Sequence, residues 1–149
     1  MTTGKIKSGN GLLMNVARIV LGAFILGAGI SHLTFARKEF QAQVPPWVPI
    51  DVDTVVILSG IAEIALGASL IVLPKHKVTI GWIAAAFFIA VFPGNIAQWA
   101  NHRDGFGLDT DAARTTRLFF QPVLIAIALW STGALQSIKH NNSGNLLNK

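Results

Sequence analysis

Glu63 is the residue of this chain that most needs a chemical explanation. It falls inside an apolar run, ten residues past Asp53, so at 1.5 Å rise per residue its carboxyl sits about 15 Å along a helix. If that helix crosses a bilayer, the position is near the midplane. An ionised carboxylate there costs at least about 2.5 kcal/mol and calls for a partner, a proton or a polar cavity. Ser59, Glu63 and Gly67 follow one another at four-residue spacing and make one narrow polar stripe.

Other polar residues reach a similar depth. His32 ends the first apolar run, Asn95 lies eight residues before Arg103, and Gln121 is one turn beyond Arg117. Arg114, Arg117 and Gln121 are spaced by three and four, so they share a helix face that can run toward Glu63. Pro93 and Pro122 remove ladder hydrogen bonds and free the carbonyls of Ile89 and Leu118, for which Asn95, Gln121, Arg117 or water are the available donors. The expectation is a polar funnel opening outward, opposite a half that is almost wholly apolar. Each residue also has a plain alternative. Glu63 can be a hydrogen-bonding pin between helices, His32 a satisfied histidine near the interface, and Arg117 a snorkelling cation.

The elements that position these groups are membrane spans. Among 149 residues, 52% are hydrophobic and 13% charged, with a mean hydropathy of +0.53, outside the range of ordinary soluble domains. Apolar runs at about 16–35, 54–73, 78–99 and 117–138 predict a single four-helix antiparallel membrane bundle filling the chain. The first run, with its basic start and small residues near Gly29 and Ser31, also fits a secretory signal peptide. The absence of cysteine excludes disulfides, thiolate metal sites and dithiol relays, so any redox role needs a borrowed cofactor. No metal site is expected. Asp104 to Asp111 touches calcium-loop spacing but lacks the distal glutamate, and Gly105-Phe106-Gly107 lacks the context of a phosphate loop.

Charge sets the expected orientation. Lys5, Lys7, Arg18, Lys75, Lys77, Lys139 and Lys149 fall on one side without an acidic residue, whereas the other side mixes five basic with six acidic residues. Both termini are therefore expected in the cytoplasm. The formal charge of +5 then reflects topology and not a nucleic-acid partner. Pro74 to Lys77 is a tight turn that forces an antiparallel pair, and the two long loops, about 36–53 and 100–116, hint at an internal duplication. Asp53 is expected to cap the second span, and Asp109 or Asp111 to start the fourth. Trp47, Trp82, Trp99 and Trp130 suit the interface, with Trp130 equally able to pack inside. The apolar first loop is expected to lie on or dip into the outer interface. Ala23 with Gly27, Gly81 with Ala85, and Ala86 with Ala90 are candidates for close helix approach.

Arg18, Gly22, Gly29 and His32, then Pro45-Pro46 and Pro49, then Ser59-Gly60 and Glu63, resemble the DoxX-like membrane protein family. Phe92-Pro93-Gly94-Asn95-Ile96 is similar to its Phe-Pro-x-Asn signature and Arg117-Leu118-Phe119-Phe120-Gln121-Pro122 to its Arg-Leu-x-x-Gln segment, so the likeness covers about 16–135. It implies a bacterial inner-membrane four-helix protein with its first span retained. Members of that family include subunits associated with thiosulfate oxidation to quinone, components near redox or detoxification systems, and many without an assigned role. Distantly similar four-helix proteins are assembly chaperones. The leading expectation is that Glu63, His32, Asn95, Arg117 and Gln121 bind a small lipid-soluble molecule such as a quinone. Glu63 or His32 would exchange protons, and Arg117 and Gln121 would hold a carbonyl oxygen. The chain is not expected to be an enzyme on its own. The alternatives are a scaffold or assembly factor for a partner membrane protein, a homo-oligomer included, and a small-solute transporter.

Overall fold

A long apolar stretch can satisfy its backbone N–H and C=O groups within itself as a helix, and this sequence does so repeatedly. The computed structural model describes residues 3–105 and 107–146, and is helical without a strand among them. Phe106, Lys149 and the side chains of Lys5 and Lys7 lie outside the described residues. The helices are α1 (Thr3–Leu33), the short α2 (Arg37–Gln41), α3 (Val52–Val72), α4 (Lys77–Ala100), α5 (Asp111–Ser131) and α6 (Ala134–Leu146). A single 3-10 turn, Pro74–His76, joins α3 to α4. Four stretches are long and apolar enough to cross a membrane: Asn10–Leu33, Val52–Val72, Pro74–Ala100 and Asp111–Ser131.

The helices pair unequally. α1 packs most extensively on α3, and α4 on α5; α1 also meets α5, whereas α3 and α4 share only a thin seam despite the tight turn between them. Glycine explains the first pairing. Gly22 and Gly29 on α1 and Gly60 and Gly67 on α3 are each seven residues apart, two helical turns, and meet in antiparallel order. A Cβ on Gly67 would lie 2.5 Å from the Leu26 nitrogen, and one on Gly29 would lie 2.7 Å from the Gly60 carbonyl oxygen. The backbones therefore touch, which is how helices associate where lipid removes the hydrophobic drive. Gly27, singled out above for this role, faces open space. Gly81 does make a close approach, against Thr132 at the end of α5.

Between the two pairs lies a core of Leu21, Ile25, Leu66, Leu70, Ile80, Ala84, Phe88 and Ala128. It occupies the half nearest the Pro74–His76 turn, here the turn end; the opposite, loop end carries the two long connections. The turn end is not wholly apolar. Arg18 is 4% exposed and donates from Nη1 to the carbonyl of Leu70, with Ile71 at 3.5 Å. Those carbonyls belong to the last turn of α3, which has no intrahelical donors for them. A guanidinium is therefore both their hydrogen-bond donor and the cation that the negative end of the helix dipole favours.

Helix starts and stops differ from expectation by local chemistry. Asp51, not Asp53, caps α3 by accepting from the Thr54 amide at 3.0 Å, while Asp53 turns to Arg37 and Gln41. Thr110, between Asp109 and Asp111, caps α5 through the Ala113 amide. The fourth span does not continue to Ile138: it stops at Ser131, and Gly133 at φ +78° breaks the helix before α6 turns back onto α4 and α5. All four tryptophans are exposed, Trp130 included.

Candidate functional site

α3 and α4 separate toward the loop end, and the space between the helices there is a cavity of about 500 Å³. That volume lies within the range of small-molecule sites. Every one of the five candidate residues is on its wall: His32 from α1, Glu63 from α3, Asn95 from α4, and Arg117 and Gln121 from α5. The rest is mainly apolar, with Phe24, Ile25, Val55, Val56, Phe88 and Leu124 among the lining side chains.

Glu63 is close to His32. Nδ1 of His32 stands 2.9 Å from Glu63 Oε2 and equally 2.9 Å from the Ala28 carbonyl oxygen. One ring N–H serves one acceptor, and its geometry suits Ala28. Glu63 Oε2 is thus a contact by distance that lacks a directed donor among the described residues. The His32 ring, 6% exposed, lies against the face of Phe40, with planes 15° apart.

Gln121 is a hub. Its Nε2 donates to the Phe88 carbonyl at 2.7 Å, and its Oε1 accepts from Asn95 Nδ2 at 3.1 Å and, at 3.4 Å, from Arg117 Nη1. It therefore ties α4 to α5 and orients Asn95 and Arg117, with its own carbonyl oxygen already occupied. The sequence pointed to the Ile89 carbonyl freed by Pro93; the bond goes one residue earlier, to Phe88, and α4 continues through the proline. Arg117 makes no ion pair with a carboxylate among the described residues, although it lies within Coulombic reach of Glu63. The wall thus presents a carboxyl and a guanidinium that do not touch.

Arg114 does not join that face. It is 6% exposed and is taken up by Asp104, by Asp111 at 2.9 Å and by the Arg103 carbonyl at 3.3 Å. Its role is in the loops. Arg103 Nη1 donates to the Val44 carbonyl at 3.0 Å, tying the second loop to the first, and Gln98, 1% exposed, donates to the Arg103 carbonyl. Arg37 pairs with Asp53 through Nε and Nη2, and that carboxylate holds the Arg37 guanidinium above its ordinary range. Held in this way, residues 40–48 fold over the loop end of the cavity. Val44 is buried, and the Gln43 carbonyl lies so near Gly94 that a Cβ there would come within 2.4 Å. The Gln43 side chain brings a second unpartnered buried atom, Nε2, to the same wall.

Phe40 and Gln43, which line the cavity, were not legible as site residues. Their only signal is proximity in space, since α2 and its flanking turns fold back on the bundle. Among the described residues no group of His, Asp and Glu has the arrangement of a metal site.

Fold and cavity together define an α-helical bundle, four of whose helices are long and apolar enough to cross a membrane, around a largely apolar cavity that carries a few polar groups. The chain matches DUF8561, a domain of unknown function, over residues 21–132, and belongs to that family. The matched stretch contains the whole cavity wall. Comparison with curated proteins and with solved structures returned no match.

Proposed function

We propose that this is a DoxX-like protein of the bacterial inner membrane that binds a small lipid-soluble molecule, such as a quinone, in support of redox chemistry carried by a partner. The observation that carries this reading is the meeting of Glu63, His32, Asn95, Arg117 and Gln121, from four helices, on one largely apolar cavity. Apolar walls suit a ring with a hydrocarbon substituent, and a few fixed polar groups give it orientation. Arg117, steadied by Gln121, is the donor for a carbonyl oxygen; the carboxyl of Glu63 beside His32 is the group placed to exchange a proton with the bound head. The loop end faces the periplasm in this proposal, because the turn end and both termini carry the unopposed basic residues.

The test is purification of the full chain in mild detergent, organic extraction, and quinone analysis, beside Glu63→Gln and Arg117→Gln. Co-purifying quinone in the parent chain, reduced tenfold or more in either variant, is the expected result. Parent protein free of quinone that also fails to bind an added benzoquinone would reject the reading.

A scaffold or assembly role is favoured by a different observation. Phe35 and Trp47 are 87% and 71% exposed at the loop end, more than a buried roof requires, and so are available to a partner membrane protein. Loss of a co-purifying partner on Trp47→Ala, with quinone content unchanged, would move the assignment there.

A further inference from the structure

The thin α3–α4 seam opens twice. Beyond the main cavity, toward the turn end, lies a groove of about 220 Å³ lined by Ala62, Ala65, Leu66, Ser69, Ile80 and Ile83. It begins within one turn of Ser59 and Glu63 on the same helix, so the two spaces follow one another along α3. Its only polar side chain, Ser69, has its hydroxyl committed to the Ala65 carbonyl at 2.7 Å. The groove therefore offers nothing to a polar ligand.

The main cavity reaches the surface through apolar residues as well. Of its wall, Trp47, Ala90, Pro93 and Phe24 are exposed, while the polar members are buried or half-buried. Phe24 is two residues on from Gly22, roughly 200° around α1 from the face packed on α3, and is bulky. The α3–α4 side is instead bordered by Ser59 and Ala90, both small. At the loop end the way is crossed by the roof, pinned by Arg103 to Val44 and by Gln43 against Gly94.

We infer that the occupant is an amphiphile that enters from the bilayer through the α3–α4 seam, with its polar head at Glu63, His32 and Arg117 and its hydrocarbon tail lying in the Ala62–Ile83 groove. This rests on the cavity being a ligand site and adds the tail, its track and its route. From Ser59 to Ser69 the track is about 15 Å long at 1.5 Å per residue, so the tail is an extended chain and not a methyl or methoxy group.

Two probes with one head test it: a benzoquinone bearing a decyl chain and the same ring without it, titrated into the full chain in lipid nanodiscs and followed by quenching of tryptophan fluorescence. Filling the groove with Ala65→Phe should weaken the decyl probe at least tenfold and leave the ring-only probe unchanged. Ile89→Phe, which places the same side chain at an exposed position off both spaces, should change neither. As a measurement independent of variants, a decyl probe ending in a diazirine should label residues 62–69 or 80–83 on illumination. Unaltered decyl binding to Ala65→Phe, or labelling confined to the loop residues 43–48, overturns the inference while leaving the cavity a binding site. Failure of the parent chain to bind either probe rejects the cavity reading itself, and the tail track with it.

Discussion

His32 is held between two acceptors, Glu63 Oε2 and the Ala28 carbonyl oxygen, each 2.9 Å from the same ring nitrogen. A proton on that nitrogen cannot serve both. Glu63 is left dependent on charge, on its own proton or on a bound group. This arrangement makes the pair unequal under mutation.

His32→Ala removes the ring partner of the Ala28 carbonyl and uncovers Phe40, and should destabilise the bundle by about 1–3 kcal/mol. Glu63→Leu should change stability by similar amounts alone and in the His32→Ala chain, since the 2.9 Å contact carries no directed hydrogen bond. Unfolding in mixed detergent, run as a double-mutant cycle, gives the coupling directly.

The α1–α3 contact is a backbone contact, so it should not tolerate a methyl group. Gly67→Ala and Gly29→Ala should each cost about 1–3 kcal/mol through overpacking. Gly27→Ala, facing open space on the same helix, should be neutral or stabilise by about 0.5–1 kcal/mol from helix propensity. Melting temperatures of the purified variants check the contrast, and equal effects at Gly27 and Gly67 would contradict the packing.

Arg18→Met leaves the Leu70 and Ile71 carbonyls without their side-chain donor. A charged hydrogen bond of this kind is worth about 1.5–3 kcal/mol, and the last turn of α3 should fray first. Limited trypsin digestion reads this well, because Lys75 and Lys77 lie just beyond that turn. Cleavage there should accelerate in the variant while the pattern at Arg103 stays the same.

Gly133 holds a left-handed conformation that lets α6 leave the line of α5. Gly133→Ala places a Cβ where it costs about 1–2 kcal/mol. Spin labels at the exposed Ala126 and Gln136 should show a changed separation if the helix straightens, and unchanged distance with lowered stability if it does not.

Much of the architecture was readable because lipid simplifies the code: length and hydropathy locate the spans, and charge depth locates the polar residues. The five candidate residues that line the cavity could be picked out because a polar group inside an apolar run has few alternatives to a cavity or a partner. What escaped depends on geometry across elements. Asp53 and Asp51 are equally good caps by type, and only the position of Arg37 decides which one is free to cap α3. Arg114 shares a helix face with Arg117, yet Asp104 on the preceding loop and Asp111 in the first turn of α5 draw it away. Glycines at seven-residue intervals look no different in sequence from Gly27, and the partner helix distinguishes them.

The strength of the α1–α3 and α4–α5 contacts beside the thin α3–α4 seam also bears on biogenesis. Each strong interface joins consecutive candidate spans, so its contacts are complete once that hairpin has formed. The first hairpin needs nothing synthesised after Leu73 to lock its glycines together and to have Arg18 close the end of α3. Assembly can then proceed as two prefabricated halves docking late, with the cavity between them the last space to take shape.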